Sequence, residues 1–191
     1  MKHSLIAAAF LMLTLSCSNF KKTLTDGRDG KVYHLDQYGD QTWIREDLVY
    51  QFDDQEQSEF PEGLYTLAQA KLACPEGFHL PSLKEWQERI MTYPGSDNPR
   101  SGRYVHLSEK DSSLYYRGLV WSGNFMAEGD MAVYWTTTDT TRVFNDESGI
   151  AEPATMGIHI YNDEAVKDSM NVEPSFLNSP DHGFSCKCIK D

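Results

Sequence analysis

Two predicted helices are connected by the stretch that decides the fold, Cys74-Pro75-Glu76-Gly77-Phe78-His79-Leu80-Pro81-Ser82-Leu83-Lys84-Glu85-Trp86. Residues 66–73, just before it, are mostly good helix formers and contain no Gly, Pro or Asn. Pro75 ends this helix because proline disfavours the helical conformation of the preceding residue. Ser82 and Glu85 have the spacing of a capping box, in which each side chain satisfies a free backbone donor at a helix start. The pattern therefore predicts a second helix over residues 83–93, with a buried face of Leu83, Trp86, Ile90 and Met91.

The N-terminal residues indicate an exported protein held to a membrane by lipid. A basic start (residues 1–3) precedes an apolar run (residues 5–15) that is too short to span a bilayer as a helix. The run ends at Ser16-Cys17, which resembles the cleavage site of bacterial lipoproteins. An ordinary secretory signal that leaves Cys17 free is the alternative. The lipoprotein interpretation divides the chain into a signal peptide (1–16), a tether beginning at lipid-bearing Cys17 (17–25) and one folded domain (26–191).

This organisation predicts a location in the bacterial cell envelope, with the outer membrane as the expected site. The lipid is the expected link to the membrane, because no later run is apolar enough to cross it. The chain has 29 acidic and 17 basic residues and a formal net charge of -12. Such a surface repels phosphate backbones, so no nucleic-acid partner is expected. Solubility is the simplest explanation of the charge.

The cysteines predict one disulfide. If Cys17 carries lipid, Cys74, Cys186 and Cys188 remain in an oxidising compartment, which gives one bridge and one spare thiol. Cys186 and Cys188 are two residues apart in an apparent strand and lie on the same face. They are poorly placed to pair with each other, and either could pair with Cys74.

Several short blocks, taken in order, resemble the Fibrobacter succinogenes major paralogous domain. The blocks are residues 26–33, 39–43, 46–48, 63–66, 74–82, 85–86, 134–138 and 183–191. This family resembles C-type lectin-like domains, so the resemblance implies an α+β fold with two helices around a small antiparallel sheet core. Two segments that it covers poorly, roughly residues 93–131 and 139–153, are expected to be long inserted loops.

The resemblance also implies the pairing of the cysteines. In lectin-like domains the last strand is joined by a disulfide to the end of the first helix, and Cys74 and Cys188 occupy the corresponding places. Cys186 stands where an aliphatic residue is usual, so it is expected to be a small buried hydrophobic residue.

Calcium is the one cofactor that the wider fold suggests, and the sequence does not favour it. Lectins that bind sugar through calcium have an asparagine after a Glu-Pro pair, which is missing after both Glu152-Pro153 and Glu173-Pro174. Asp26 and Asp29 lack the spacing of a known calcium loop and are expected to be solvated turn residues. No cofactor is therefore expected.

Candidate ligand-binding residues lie in the two inserts. Aromatic side chains in the first could stack on sugar rings or anchor a protein partner, and an Asn-Asp pair in the second could contribute polar contacts. The candidates are Tyr115, Tyr116, Trp121, Phe125, Asn145 and Asp146. The alternative is that Trp121 lies in a core strand, with Tyr115 and Tyr116 on its amphipathic neighbour.

The sequence contains no known catalytic or phosphate-binding motif. We therefore expect a non-catalytic cell-surface lipoprotein that recognises or adheres to a glycan or a cell-surface protein. One alternative is a thiol-dependent enzyme related to the formylglycine-generating enzymes, which would use Cys186 and Cys188. Another is a purely structural envelope protein.

Overall fold

The computed structural model describes residues 23–52, 60–97, 103–105, 117–143, 151–162, 170–177 and 181–191. Over these residues the chain is mostly β-strand, with two helices of 7 and 9 residues. The strands form one five-stranded sheet, one seven-stranded sheet and one two-stranded hairpin.

The five-stranded sheet includes an antiparallel hairpin early in the chain. Strands β2 (Val32–Tyr38) and β3 (Gln41–Ile44) are antiparallel. Their turn includes Gly39, whose φ of 59° lies in the left-handed region that glycine adopts without strain. The spatial order of this sheet is β1 (Thr23–Thr25), β2, β3, β14 (Ile189–Lys190) and β5 (Phe78–His79).

The seven-stranded sheet is dominated by two long antiparallel strands, β10 (Met131–Val143) and β11 (Ala151–Asn162), of 13 and 12 residues. Its spatial order is β4 (Leu64–Tyr65), β13 (Phe184–Ser185), β10, β11, β12 (Met170–Leu177), β7 (Arg103–Val105) and β6 (Gly95–Asp97). The separate hairpin consists of β8 (Leu119–Trp121) and β9 (Asn124–Met126).

The predicted α+β, C-type-lectin-like fold is wrong, because the structure is a β-rich fold with several sheets. The segments expected to be inserted loops contribute strands. Residues 139–153 include the end of β10 and the start of β11, and residues 93–131 include β6 to β9. The matched block ended at Thr138, yet Thr140 and Thr141 continue the β-branched run that favours extended chain. The matched block therefore covers only the first part of the long strand β10.

Both predicted helices are confirmed, and both begin with a capping box. Helix α1 (Leu67–Ala73) has Thr66 as its N-cap, and helix α2 (Leu83–Met91) has Ser82. The Ser82 hydroxyl accepts a hydrogen bond from the Glu85 backbone, and the Glu85 carboxylate accepts one from the Ser82 backbone at 2.7 Å. The predicted second helix extends two residues too far, because α2 ends at Met91.

The buried face of α2 differs from the prediction at two positions. Trp86 and Ile90 are buried as expected, but Met91 is 63% exposed and Arg89 is fully buried. The Arg89 guanidinium lies 4.3 Å from the ring centroid of Tyr38 and 4.7 Å from that of Trp43. Aromatic faces attract a cation, so the rings replace part of the hydration that Arg89 loses on burial.

A bulge in β10 fixes the start of α2 against the large sheet. The register of β10 with β11 shifts between Trp135 and Asp139, and this bulge contains threonines at 136–138. The Thr138 hydroxyl accepts a hydrogen bond of 2.9 Å from the backbone N–H of Leu83, the first residue of the helix. Such a donor has no partner within its own helix. The threonine run therefore positions the helix as well as the strand.

Residues 183–191, which we call the tie segment, belong to both sheets. Strand β13 lies between β4 and β10 in the large sheet, and β14 lies between β3 and β5 in the small one. The backbone N–H of Ile44 donates to the Cys188 carbonyl at 2.9 Å, and that of Leu48 donates to the Cys186 carbonyl at 3.0 Å. Every residue from 182 to 189 is buried. The tie segment is therefore part of the core.

A disulfide joins Cys74, at the end of α1, to Cys188 in the tie segment. This pairing confirms the one that the resemblance implied. Cys186 is free and fully buried, and burial raises the pKa of its thiol well above the ordinary value. A reactive cysteine needs an accessible, stabilised thiolate, so the surroundings of Cys186 disfavour thiol chemistry.

Replacing Cys74 and Cys188 together with alanine should lower the free energy of unfolding by about 4–5 kcal/mol, as measured by urea denaturation. The reason is that the bridge restricts the unfolded chain over a sequence separation of 114 residues. Cys186→Ala is the control and should cost less, because it removes only a small apolar side chain. Equal losses in the two variants would contradict this role of the bridge.

The tie segment also places a lysine in the core. Lys187 and Asp47 are both buried, with 2.9 Å between Nζ and Oδ1. The Tyr134 hydroxyl donates to the same carboxylate oxygen at 3.1 Å, and Arg117 Nε lies 3.4 Å from the other oxygen. Burial lowers the pKa of Lys187 to about 8, and the charge of Asp47 opposes this shift. Asp47 is thus the counter-charge of one buried cation, Lys187, and of one half-buried cation, Arg117.

Asp47→Asn should lower the free energy of unfolding by about 3–5 kcal/mol, because it leaves the buried Lys187 without its counter-charge. Asp36→Asn is a matched control. Asp36 pairs with Arg45 at 2.6 Å, but both side chains are partly exposed, and such pairs contribute up to about 1 kcal/mol. Chemical denaturation of both variants measures the difference. A loss no larger for Asp47→Asn than for the control would show that the buried pair is dispensable.

Candidate recognition surface

The β8–β9 hairpin presents large apolar side chains to solvent. Trp121, Phe125 and Met126 are 40%, 44% and 44% exposed, and we call Trp121 and Met126, which share one face of the hairpin, the hairpin surface. Its turn is tight because Ser122 and Gly123 both have positive φ, of 48° and 77°. Exposed apolar side chains grouped on one element are typical of contact surfaces.

Trp121 is held in place by residues next to and within the tie segment. Its ring stacks on the ring of His182, with 4.0 Å between centroids and an interplanar angle of 26°. Phe184 packs beside both rings, at centroid distances of 6.4 Å and 5.5 Å. Val120 and Gly183 exchange backbone hydrogen bonds of 2.8 Å and 2.9 Å, which fix the hairpin beside them. Trp121 is therefore both exposed and immobilised, a combination that lowers the entropy lost on binding.

His182 forms the base under Trp121. It is only 2% exposed, and burial lowers its pKa, an effect that the charge of Asp181 opposes. The lowered pKa favours the neutral form of the ring. Among the described residues, its Nδ1 has no hydrogen-bond partner. His182 Nδ1 is thus a buried nitrogen beneath Trp121 that makes no hydrogen bond within the described residues.

Two of the predicted ligand-binding residues, Trp121 and Phe125, lie in this hairpin. The interpretation of Trp121 as a core residue is wrong, although the preceding residue of the strand, Val120, is buried. Trp121 is opposite Asn124 and Phe125 is opposite Val120, so Trp121 and Phe125 belong to different faces of the hairpin. The remaining candidates, Tyr115, Tyr116, Asn145 and Asp146, lie outside the described residues, as does the proposed lipid attachment residue Cys17.

A cleft between α1 and the β10–β11 pair is a second candidate site. Its volume is about 780 Å³, within the range of small-molecule sites. Its walls are largely apolar, and an ion pair between Lys71 of α1 and Asp139 of β10 lies among the lining residues. The apolar lining consists of Leu67, Ala68, Trp135, Pro153, Ala154 and Leu177.

The described residues do not favour a metal centre. They contain no group of three or more side chains suited to hold a metal ion. Glu152 and Glu173, which begin the two Glu-Pro pairs, lie within β11 and β12 rather than in loops. Asp26, expected to be solvated, is 1% exposed and pairs with Arg28 at 2.7 Å. Burial acts to raise the pKa of Asp26, but the hydrogen bonds and charge of Arg28 lower it below its ordinary value.

His79 connects α2 to the tie segment. Its Nδ1 lies 2.7 Å from an oxygen of Asp191 and its Nε2 lies 3.0 Å from an oxygen of Glu85. Both contacts are present although the side chain is 41% exposed. Burial acts to lower the pKa of His79, but the two carboxylates raise it above its ordinary value.

This raised pKa predicts a pH-dependent contribution to stability. The contribution is fully present below the ordinary histidine pKa of 6.5 and is lost as pH rises through the folded-state pKa. His79→Gln should therefore reduce the fall in the urea midpoint between about pH 6 and pH 8. An NMR titration of the wild-type ring provides the direct check. The same pH dependence in both proteins would contradict a role for His79.

Within the described residues, no helix is long and apolar enough to span a membrane. No known protein family, curated protein or solved structure matches the chain. The resemblance to the Fibrobacter succinogenes domain therefore stays a prediction.

Proposed function

We propose that the protein is a non-catalytic recognition module at the bacterial cell surface, which binds a glycan or a protein through the hairpin surface. The observation that carries this proposal is the exposed Trp121 ring, fixed by its stacking on His182. A fixed indole suits the apolar C–H face of a sugar ring and is also a common anchor in protein interfaces.

The charge of the chain limits the ligands that suit it. A net charge of -12 disfavours polyanionic ligands and is compatible with neutral glycans and with basic or neutral protein surfaces. Met126 lies on the same face of the hairpin as Trp121 and extends the apolar area beside it, and a protein partner would cover this larger area rather than the single ring. The two classes of ligand therefore differ in how much of the hairpin surface they need.

The thiol-dependent alternative has less support. Of its two candidate cysteines, Cys188 is in a disulfide, and Cys186 is buried with a raised thiol pKa. Neither offers an accessible thiolate. We therefore propose binding without covalent chemistry.

Trp121→Ala should weaken binding at least tenfold, since truncation of a central aromatic anchor costs about 2 kcal/mol or more. The measurement is binding of the purified protein to an array of plant, host and bacterial glycans and to surface proteins of neighbouring cells. Met126→Ala separates the two classes of ligand: it should weaken protein binding and leave binding to a single sugar ring nearly unchanged. Leu72→Ala is the matched control, because Leu72 is 70% exposed on α1 and should not contribute.

Binding that survives Trp121→Ala would place the ligand elsewhere and contradict the proposed surface. Failure to bind any glycan or surface protein would favour the structural envelope protein instead. In that case deletion would alter the integrity of the envelope without the loss of a ligand.

We also propose that lipid on Cys17 holds the module at the envelope, with the outer membrane as the expected location. The mature protein should then begin at Cys17 and carry the added mass of acyl chains, which intact-protein mass spectrometry measures. Cys17→Ala should abolish the added mass and membrane fractionation. An unmodified N-terminus in the wild-type protein would contradict the anchor.

A further inference from the structure

The cleft between α1 and the β10–β11 pair contains a pair of opposite charges that is weak as a structural contact. Lys71 Nζ lies 3.9 Å from Asp139 Oδ2, and the two side chains are 43% and 69% exposed. Pairs with this exposure contribute at most about 1 kcal/mol, since water and salt screen them. A ligand that offers each charge a better partner can therefore replace the pair at little cost.

The sheet orients Asp139, the acidic residue of the pair. The hydroxyl of Thr155 donates to Asp139 Oδ1 at 3.0 Å, and Thr155 is only 4% exposed. This bond holds one carboxylate oxygen and leaves Oδ2 as the atom that faces Lys71. Lys71 projects from the last turn of α1 on a flexible stem. The cleft thus combines a positioned anion with an adjustable cation.

The rest of the cleft is suited to an apolar group. Leu67 and Ala68 contribute its helical wall, and Pro153 and Leu177 contribute the side formed by β11 and β12. Small-molecule sites typically have such a mainly apolar lining with a few polar groups that set orientation. A volume of about 780 Å³ is ample for an aromatic or branched side chain.

We propose that this cleft binds a small zwitterionic ligand of the α-amino-acid type, with its ammonium on Asp139, its carboxylate on Lys71 and its apolar side chain in the cleft. The choice of a zwitterion follows from charge balance. An anion on Lys71 would place a like charge beside Asp139, and a cation on Asp139 would place one beside Lys71. A ligand that carries both charges on one carbon satisfies both residues. This site is separate from the hairpin surface and does not depend on its function.

Three probes with the same phenyl group test the charge rule: L-phenylalanine, 3-phenylpropionate and 2-phenylethylamine. Calorimetry on the purified full chain should show L-phenylalanine binding at least tenfold more tightly than either singly charged probe. No binding of L-phenylalanine at millimolar concentration would overturn the proposal. Equal binding of either singly charged probe would also overturn it.

Two isosteric or near-isosteric variants locate the site. Lys71→Met and Asp139→Asn should each weaken L-phenylalanine binding about tenfold or more, and each should reduce its advantage over one singly charged probe. Lys84→Met is the matched control, because Lys84 is a helical lysine that is 84% exposed and pairs with Glu88 instead. Trp121→Ala should leave L-phenylalanine binding unchanged, which separates this result from that of the hairpin surface. Binding that is insensitive to both cleft variants would overturn the assignment.

Discussion

The fold depends on one buried segment that completes two sheets at once. The tie segment contributes β13 to the large sheet and β14 to the small one, and all of its residues up to Ile189 are buried. Cys188 fixes this segment to the end of α1 through the disulfide, and Lys187 fixes it to Asp47 through the ion pair. One covalent and one electrostatic contact thus hold neighbouring residues of the same segment. The charge of Lys187 is tolerated in the core because the opposite charge of Asp47 is buried beside it.

The same segment supports the candidate recognition surface. Phe184 and the adjacent His182 pack against Trp121, and Gly183 is hydrogen-bonded to Val120 of the hairpin. A Cβ at Gly183 would lie 2.5 Å from the ring of Phe60, so only glycine permits this close packing. The hairpin is consequently attached to a buried, hydrogen-bonded part of the core, and this packing orients the exposed ring of Trp121.

Local sequence signals predicted the two helices and their boundary at Pro75, because both depend on contacts between near neighbours in the chain. The disulfide was predicted only through the resemblance, since spacing alone left Cys186 and Cys188 as equal candidates. The large sheet was missed because residues 93–131 and 139–153, which contribute several of its strands, were expected to be inserted loops. The burial of two cations could not be predicted from the sequence either. Arg89 and Lys187 are buried, whereas the hydrophobic periodicity of a sequence places charged residues on the surface. The exposure of Trp121 depends on tertiary packing, for which a single sequence carries no local signal.

The position of the tie segment has a consequence for how the chain matures. Residues 183–191 are synthesised after every strand that they join, so neither sheet is complete while the earlier residues are emerging. A chain exported as we propose would remain incompletely folded while it passes through a translocation channel. It would acquire its final shape only on the far side, where an oxidising environment closes the bridge between Cys74 and Cys188. In an exported chain, the late synthesis of the tie segment would thus make folding depend on the compartment that the chain reaches.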